Sequence, residues 1–440
     1  MKLNSVIRSR TLFCASVLAA LIVSLTLKAS DEIPGGPQRG PIALIGADVY
    51  PVSQPPIPNG VVLFEKGKIT AIGPAREIAI PANTQRVSLA GKRIYPSLIE
   101  SHSILGLVEI PAVRASRDQR ETGSINPNVR AVAAVNPDSE LIPVARANGV
   151  LLALSAPEGG LVSGQASMLQ LDGWTSEDLA LEPSIGMIVN WPSVKNDLKD
   201  GSNDKDRVDE LRDLLDEARA YRAGRVGDQS QQQTDLKLEA LRPVIDRQIP
   251  ILVWADSVSV IQSAVAFAVE QNIRIVILGG YDAPACADLL KKHEVPVVVS
   301  AVYRLPRRRN DAFDSAYTLP ARLHAAGVSF AISGSASSRS SSNTRNLPYH
   351  AGVAVAYGLP EDEALKAITL SPAEIYGIED RVGSLDVGKD ATLIVTDGDP
   401  LETPTSVTHA WIQGRSVELT SRHTRLYEKY QQKYRQLGSQ

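Results

Sequence analysis

Short runs of apolar residues recur through the middle of the chain: "GVLLALSA", "ASMLQLDG", "SIGMIVNWP", "IPILVWADS", "IRIVILGGYD", "VPVVVSAVY" and "GVSFAISGSAS". Between several of them the apolar positions switch to helical spacing, as in "SVIQSAVAFAVEQN" and "APACADLLKKHE". With a further run at residues 94–99, this makes eight β-segments joined by helices or loops. Short strands without polar alternation are buried on both faces, which is the habit of a parallel sheet. Eight of them fit a (β/α)8 barrel, and a doubly wound open sheet is the runner-up.

The flanks read differently. Residues 41–91 offer short strands broken by Pro and Gly, "PIALIGADVYP", "GVVLFEKGKITAIG" and "TQRVSLAGKRIYP", and residues 385–420 return to that style. Two β-rich ends therefore bracket a middle of residues 92–384. An insertion at 195–245 is far more charged. It holds a helix over about 205–223, with Val208, Leu211, Leu215 and Ala218 on one stripe, and a second helix from about Thr234. The plain expectation is a helical pair lying over the barrel, and a partner surface is the alternative. The tail, 421–440, is polar and helix-prone.

Composition narrows the class. The 440 residues are 43% hydrophobic and 22% charged with a net charge of −3, so nothing calls for nucleic acid. Mean hydropathy is −0.07, which excludes a multi-span membrane protein. At the start, Arg8 and Arg10 precede a mostly apolar stretch from Thr11 to Leu27, and a Gly/Pro-rich linker at 30–40 follows. That pattern is an export signal over residues 1–29, which places the mature chain in the periplasm or outside the cell. An uncleaved anchor is the alternative. Cys286 is then the lone cysteine of the mature chain, so no disulfide forms within it.

Candidate chemistry begins at "IYPSLIESHSILGLVEI", residues 94–110, where Glu100, His102 and Ile104 occupy alternate positions. Alternate side chains on a strand share a face, so the three are expected to point together at a strand end. Around this stretch, "ALKAITLSPAEIYGIEDRVGSLDVGKDATLIVTDGDPL", "QGRSV" and the long loop "AVRASRDQRETGSINPNVRAVAAVNPDSELIPVARANGVL" resemble the amidohydrolase superfamily, in particular its imidazolonepropionase-like, amidohydrolase-related branch. The resemblance covers roughly residues 41–420. It implies a (β/α)8 barrel plus a small composite β-sandwich built from both chain ends. The chemistry it implies is metal-assisted hydrolysis of C–N bonds, in which a divalent ion such as zinc activates water and an Asp moves the proton.

The ligand pattern implied by that resemblance is His-x-His on strand 1, Lys or Glu on strand 4, one His each on strands 5 and 6, and Asp on strand 8. Here His102 stands alone, with Ile104 in place of its partner. Strand 4 offers Asn190, strand 5 Trp254, and strand 6 Gly279 or Gly280. Strand 8 offers Ser333, Gly334 and Ser335. Glu100, Asp256 and Asp282 could supply an improvised carboxylate-rich site at the mouth. His350 is the other imidazole expected near that face, whereas His293, His324, His409 and His423 read as lying away from it.

Arginines are abundant in the same loops. Arg114, Arg117, Arg120 and Arg130 follow strand 1; Arg304, Arg307, Arg308 and Arg309 follow strand 7; Arg339 and Arg345 follow strand 8. They suit carboxylate or phosphate recognition. The plainer expectation is that they pair with Asp118, Glu121, Asp138, Glu140, Asp311 and Asp314 to order the loops. The expected function is a catalytically impaired amidohydrolase relative with no cofactor. It would bind a small molecule or peptide at the barrel mouth, or pair with an intact relative or a second copy. An active C–N hydrolase using one metal or none is the alternative.

Overall fold

The computed structural model describes residues 32–192, 204–224, 233–334 and 341–438, so the export-signal segment, Ser335 and Arg339 lie outside the described residues. From the N-terminal side come β1 (Ile42–Val49), β2 (Ile57–Glu65), β3 (Lys68–Pro74), β4 (Gln85–Ser88) and β5 (Arg93–Pro96). The middle supplies β6 (Leu98–Ser103), β7 (Val150–Ser155), β8 (Val162–Gln170), β9 (Ala180–Val189), β10 (Ile251–Ala255), β11 (Ile275–Gly279), β12 (Val297–Ser300) and β13 (Phe330–Ser333). Last come β14 (Leu393–Thr396), β15 (Val407–Ile412) and β16 (Arg415–Ser416).

Among the described residues, β6 to β13 form one 8-stranded sheet in chain order. Its edges, β6 and β13, meet without a continuous ladder. Ala367 and Ile368 bridge the seam, accepting from Ile332 N (2.9 Å) and Ile99 N (2.8 Å), and Ser101 Oγ donates to Ile332 O at 3.3 Å. The interior is apolar: Ile99, Leu152, Leu154, Met168, Leu252, Val276, Leu278, Val298 and Ala331, with Ala373, Ile375 and Tyr376 in the same core. Tyr376 OH donates to Ser101 O at 2.6 Å, so the phenol is satisfied as well as buried.

One strand departs from the all-parallel expectation: β8 runs antiparallel to both β7 and β9. Chain length explains it. Only residues 156–161 connect β7 to β8, whereas a parallel crossover needs a dozen or so residues. Gly159 (φ +92°) and Gly160 (φ +67°) make the reversal. The apolar run at 94–99 also splits. Arg93–Pro96 joins the outer sheet as β5, while Leu98 opens the barrel as β6.

The second sheet is ordered β16-β15-β14-β5-β1-β2-β3, with β4 beside β1. The two chain ends join where β5 pairs antiparallel with β14. They also share one core, in which Leu44, Val62 and Phe64 pack with Leu393, Val395 and Trp411. The segment before β1 is pinned: Gly35 N donates to Asp172 (3.1 Å), and Gln38 Oε1 accepts from Gly67 N (2.8 Å).

The inserted helix, Asp204–Gly224, lays its stripe inward. Leu211, Leu215, Ala218 and Tyr221 are buried in the core around the barrel, with Val208 packed against it. Arg212 pairs with Glu270 (2.7 Å) and Arg222 with Asp246 (2.7 Å). The apolar stripe is thus occupied by the protein's own body, leaving charged faces for any partner. Cys286 is buried, in accord with a free core thiol.

Candidate functional site at the barrel mouth

The C-terminal ends of the barrel strands are where such barrels place their ligands. On β6 the strand alternation fails at the decisive point. Glu100 faces Ala153 across the ladder and Ser103 faces Ser155, so three steps on β6 match two on β7. This bulge re-aims the side chains that follow. Ile104 is buried in the outer layer with Leu98, Leu105 and Val108, so the shared face expected of Glu100, His102 and Ile104 does not form.

Glu100 instead reaches across the seam to β13. Its Oε1 accepts from Ser333 Oγ (2.5 Å) and His102 N (3.2 Å). Its Oε2 accepts from Gly334 N at 3.1 Å. Gly334 is closely hemmed in: a Cβ would lie 3.2 Å from Glu100 Oε2 and 3.3 Å from His350 Cδ2, tight enough that its neighbours would have to give by a few tenths of an ångström. The carboxylate, the β13 end and His350 are therefore one packed group.

His102 sits beside it, its ring 5.6 Å from that of Trp254 and tilted by 54°. Its Nδ1 is sealed from solvent without a hydrogen-bond partner, and burial pushes the imidazole down to about 4. Trp254, on β10, packs against the barrel interior. His350 opens the helix Leu347–Ala356. It accepts from Tyr303 N through Nδ1 (3.4 Å) and meets the Tyr303 ring edge-on at 4.6 Å. Burial holds it, too, down to about 4.

The mouth carboxylates are taken up by arginines. Asp256 pairs with Arg307 and lies 3.8 Å from Arg304, while accepting from Tyr281 N at 3.1 Å. Arg308 forks onto both oxygens of Asp282, one at 3.0 Å, and Asp311 lies 3.6 Å from the same guanidinium. Tyr281 is the hub. Its hydroxyl donates to Asp311 at 2.9 Å, and its ring carries Arg304 at 4.8 Å, Arg307 at 5.9 Å and Arg308 at 6.0 Å. Burial lowers the pKa of Arg304 against the opposing pull of Asp256. The expected arginine partners after strand 7 thus include Asp311, but Asp256 and Asp282 carry most of the pairing.

The remaining candidates sit apart from this group. Asn190 donates to Gly160 O (2.9 Å) and Ser163 Oγ (2.9 Å), tying the Gly-rich hairpin to β9. Gly279 (φ +96°) would set a Cβ 2.7 Å from Asp256 Oδ1, so bare backbone there admits the aspartate. Arg114 and Arg345 are exposed; the carbonyl of Arg345 accepts from Asn148 Nδ2 at 2.5 Å. Among the described residues, no three His, Cys, Asp or Glu side chains gather where they could hold a metal ion. Sequence reasoning missed Tyr281 and Tyr303. Both follow apolar strands directly, Tyr281 in "LGGYDAP" and Tyr303 at the head of "YRLPRRR", and that placement was the available signal.

A barrel of this order with a second sheet shared by both chain ends defines a hydrolase scaffold, and the comparisons agree. The model of the amidohydrolase family matches residues 255–417. The chain is similar to the amidohydrolase from Thermotoga maritima MSB8, with a TM-score of 0.75 and 26% identity, over 86% of this chain and 99% of that one. A putative prolidase from Bifidobacterium longum shares the fold at TM-score 0.55 and 17% identity, over 90% of this chain and 100% of that one. Amidohydrolase tasK of Hapsidospora irregularis is 24% identical over 412 residues, 83% of this chain. The chain spans 41% of the length of that curated relative. It belongs to the amidohydrolase superfamily.

Proposed function

We propose that this chain is an impaired amidohydrolase, a pseudoenzyme that binds a small molecule or peptide at the barrel mouth or serves as partner to an intact relative or a second copy. The observation that carries the reading is the contact between His102 and Trp254, an imidazole closed by an indole where a metal ligand would face an ion. A catalytic zinc needs three protein ligands and a water. Glu100 spends its oxygens on Ser333, His102 and Gly334, and Asp256 and Asp282 are held by Arg307 and Arg308. The residues present do not fit a divalent metal, and no hydrolytic step is routed through one. The basic-then-apolar N-terminal segment supports an extracytoplasmic location, with that segment cleaved or kept as an anchor.

The competing reading is an active C–N hydrolase with an unorthodox one-metal or metal-free site. It draws on the Ser333 hydroxyl, 2.5 Å from the Glu100 carboxylate. Ser333 is fully buried, however, and an attacking hydroxyl must reach its substrate. Elemental analysis of the purified chain, with turnover assays on cyclic amides and dipeptides, tests the choice. The expected result is substoichiometric zinc, manganese and iron, and hydrolysis at background. Close to one tightly held metal per chain, lost in His102→Ala, would overturn the reading, as would turnover abolished by Ser333→Ala.

A further inference from the structure

The helix Arg422–Gln436 near the C-terminus buries none of its residues. On a helical wheel Leu426, Leu437, Tyr430, His423, Tyr434 and Tyr427 fall within an arc of about 100°. The arc is exposed: Tyr427 by 65%, Tyr430 by 50%, Tyr434 by 55% and Leu437 by 64%. Arg422, Lys429 and Lys433 line one flank of that arc. The segment carries five cations, with Arg425 and Arg435, against one acid, Glu428. Arg425 lies on the opposite side and pairs with Glu140 at 3.0 Å. The helix is thus tethered by its polar back with its aromatic arc turned outward.

We propose that this helix is a docking face for an anionic phospholipid surface. A high-contrast basic helix with low overall hydrophobicity lies in the headgroup plane rather than across the bilayer. Tyrosine suits that depth, with its ring among acyl chains and its hydroxyl in water. A second copy is the poorer occupant, because antiparallel pairing of two arcs would bring the two cationic flanks together and any pairing would bring together two helices that each carry five cations against one acid. The same chain also carries Arg8 and Arg10 before the apolar stretch Thr11–Leu27, a sequence suited to meeting a membrane. The inference goes beyond the reading of the barrel mouth and holds whether or not the mouth has chemistry.

The test uses residues 34–440, which form a compact unit without the N-terminal segment. The protein is sedimented with vesicles of phosphatidylglycerol and phosphatidylcholine in equal parts, and with phosphatidylcholine alone. The expected result is binding to the anionic vesicles that is lost on raising salt from about 50 to about 500 mM. Lys429→Gln with Lys433→Gln should weaken the partition about twenty-fivefold at low salt, near fivefold for each cation. Tyr427→Ser, Tyr430→Ser and Tyr434→Ser together should weaken it about tenfold or more while leaving both lysines in place. No binding, equal binding to both vesicle types, or binding untouched by both sets of substitutions would overturn the proposal. So would concentration-dependent self-association abolished by the tyrosine substitutions, which would identify a second copy as the occupant.

Discussion

Gly279 shows how a single residue can set the packing of the barrel mouth. At φ +96°, with an added Cβ only 2.7 Å from Asp256 Oδ1, the position admits no side chain without moving the aspartate that Arg307 holds. Gly279→Ala should therefore cost about 1–3 kcal/mol, from left-handed strain and the lost approach, read by urea denaturation. A wild-type denaturation midpoint would contradict this packing. His102 and His350 make a second residue-scale prediction. Burial holds both near 4 in the fold, while in the unfolded chain they titrate near about 6.5. Below about pH 6.5 the unfolded chain takes up protons that the folded chain refuses. Stability is complete above that pH and drains as pH falls toward 4, by at most about 1.4 kcal/mol per unit for each imidazole. Melting temperature should fall from about pH 7 to about pH 5, and His350→Gln should flatten the slope. An unchanged slope would mean that His350 does not resist protonation.

At the scale of elements, what could be read beforehand follows from what leaves a period in the sequence. Uninterrupted apolar runs marked the barrel strands, and the Val208–Leu211–Leu215 stripe marked the inserted helix. The reversal of β8 was present too, in a connection too short for a crossover, but periodicity is blind to direction. The bulge on β6 leaves no pattern, since one extra residue changes neither composition nor spacing, yet it sends Ile104 away from His102. The Asp256–Arg307 and Asp282–Arg308 pairs join loops 51 and 26 positions apart, a separation at which charges carry no local signature. The inserted helix yields the element-scale prediction. With Leu215 buried in the barrel's surrounding core, Leu215→Ala should lower stability by about 2–4 kcal/mol in urea denaturation. Asp213→Ala, on a charged face, should shift it by no more than about 0.5 kcal/mol. A stripe reserved for another protein would instead leave the isolated chain's stability unchanged in Leu215→Ala.

For the whole molecule, the join of β5 to β14 has a consequence in time. Its two strands lie about three hundred residues apart, so a chain that emerges N-terminus first must present β1 to β5 long before their last neighbours exist. During that interval the Leu44 and Phe64 face lacks Leu393 and Trp411, and β5 offers an open edge of the kind that recruits stray strands. The barrel can assemble meanwhile, because its strands follow one another in chain order. Completion of the fold is thus deferred to its final tenth. A nascent chain of this design is at its most vulnerable to proteases and mispairing when it is nearly finished, and a holdase would serve it best there.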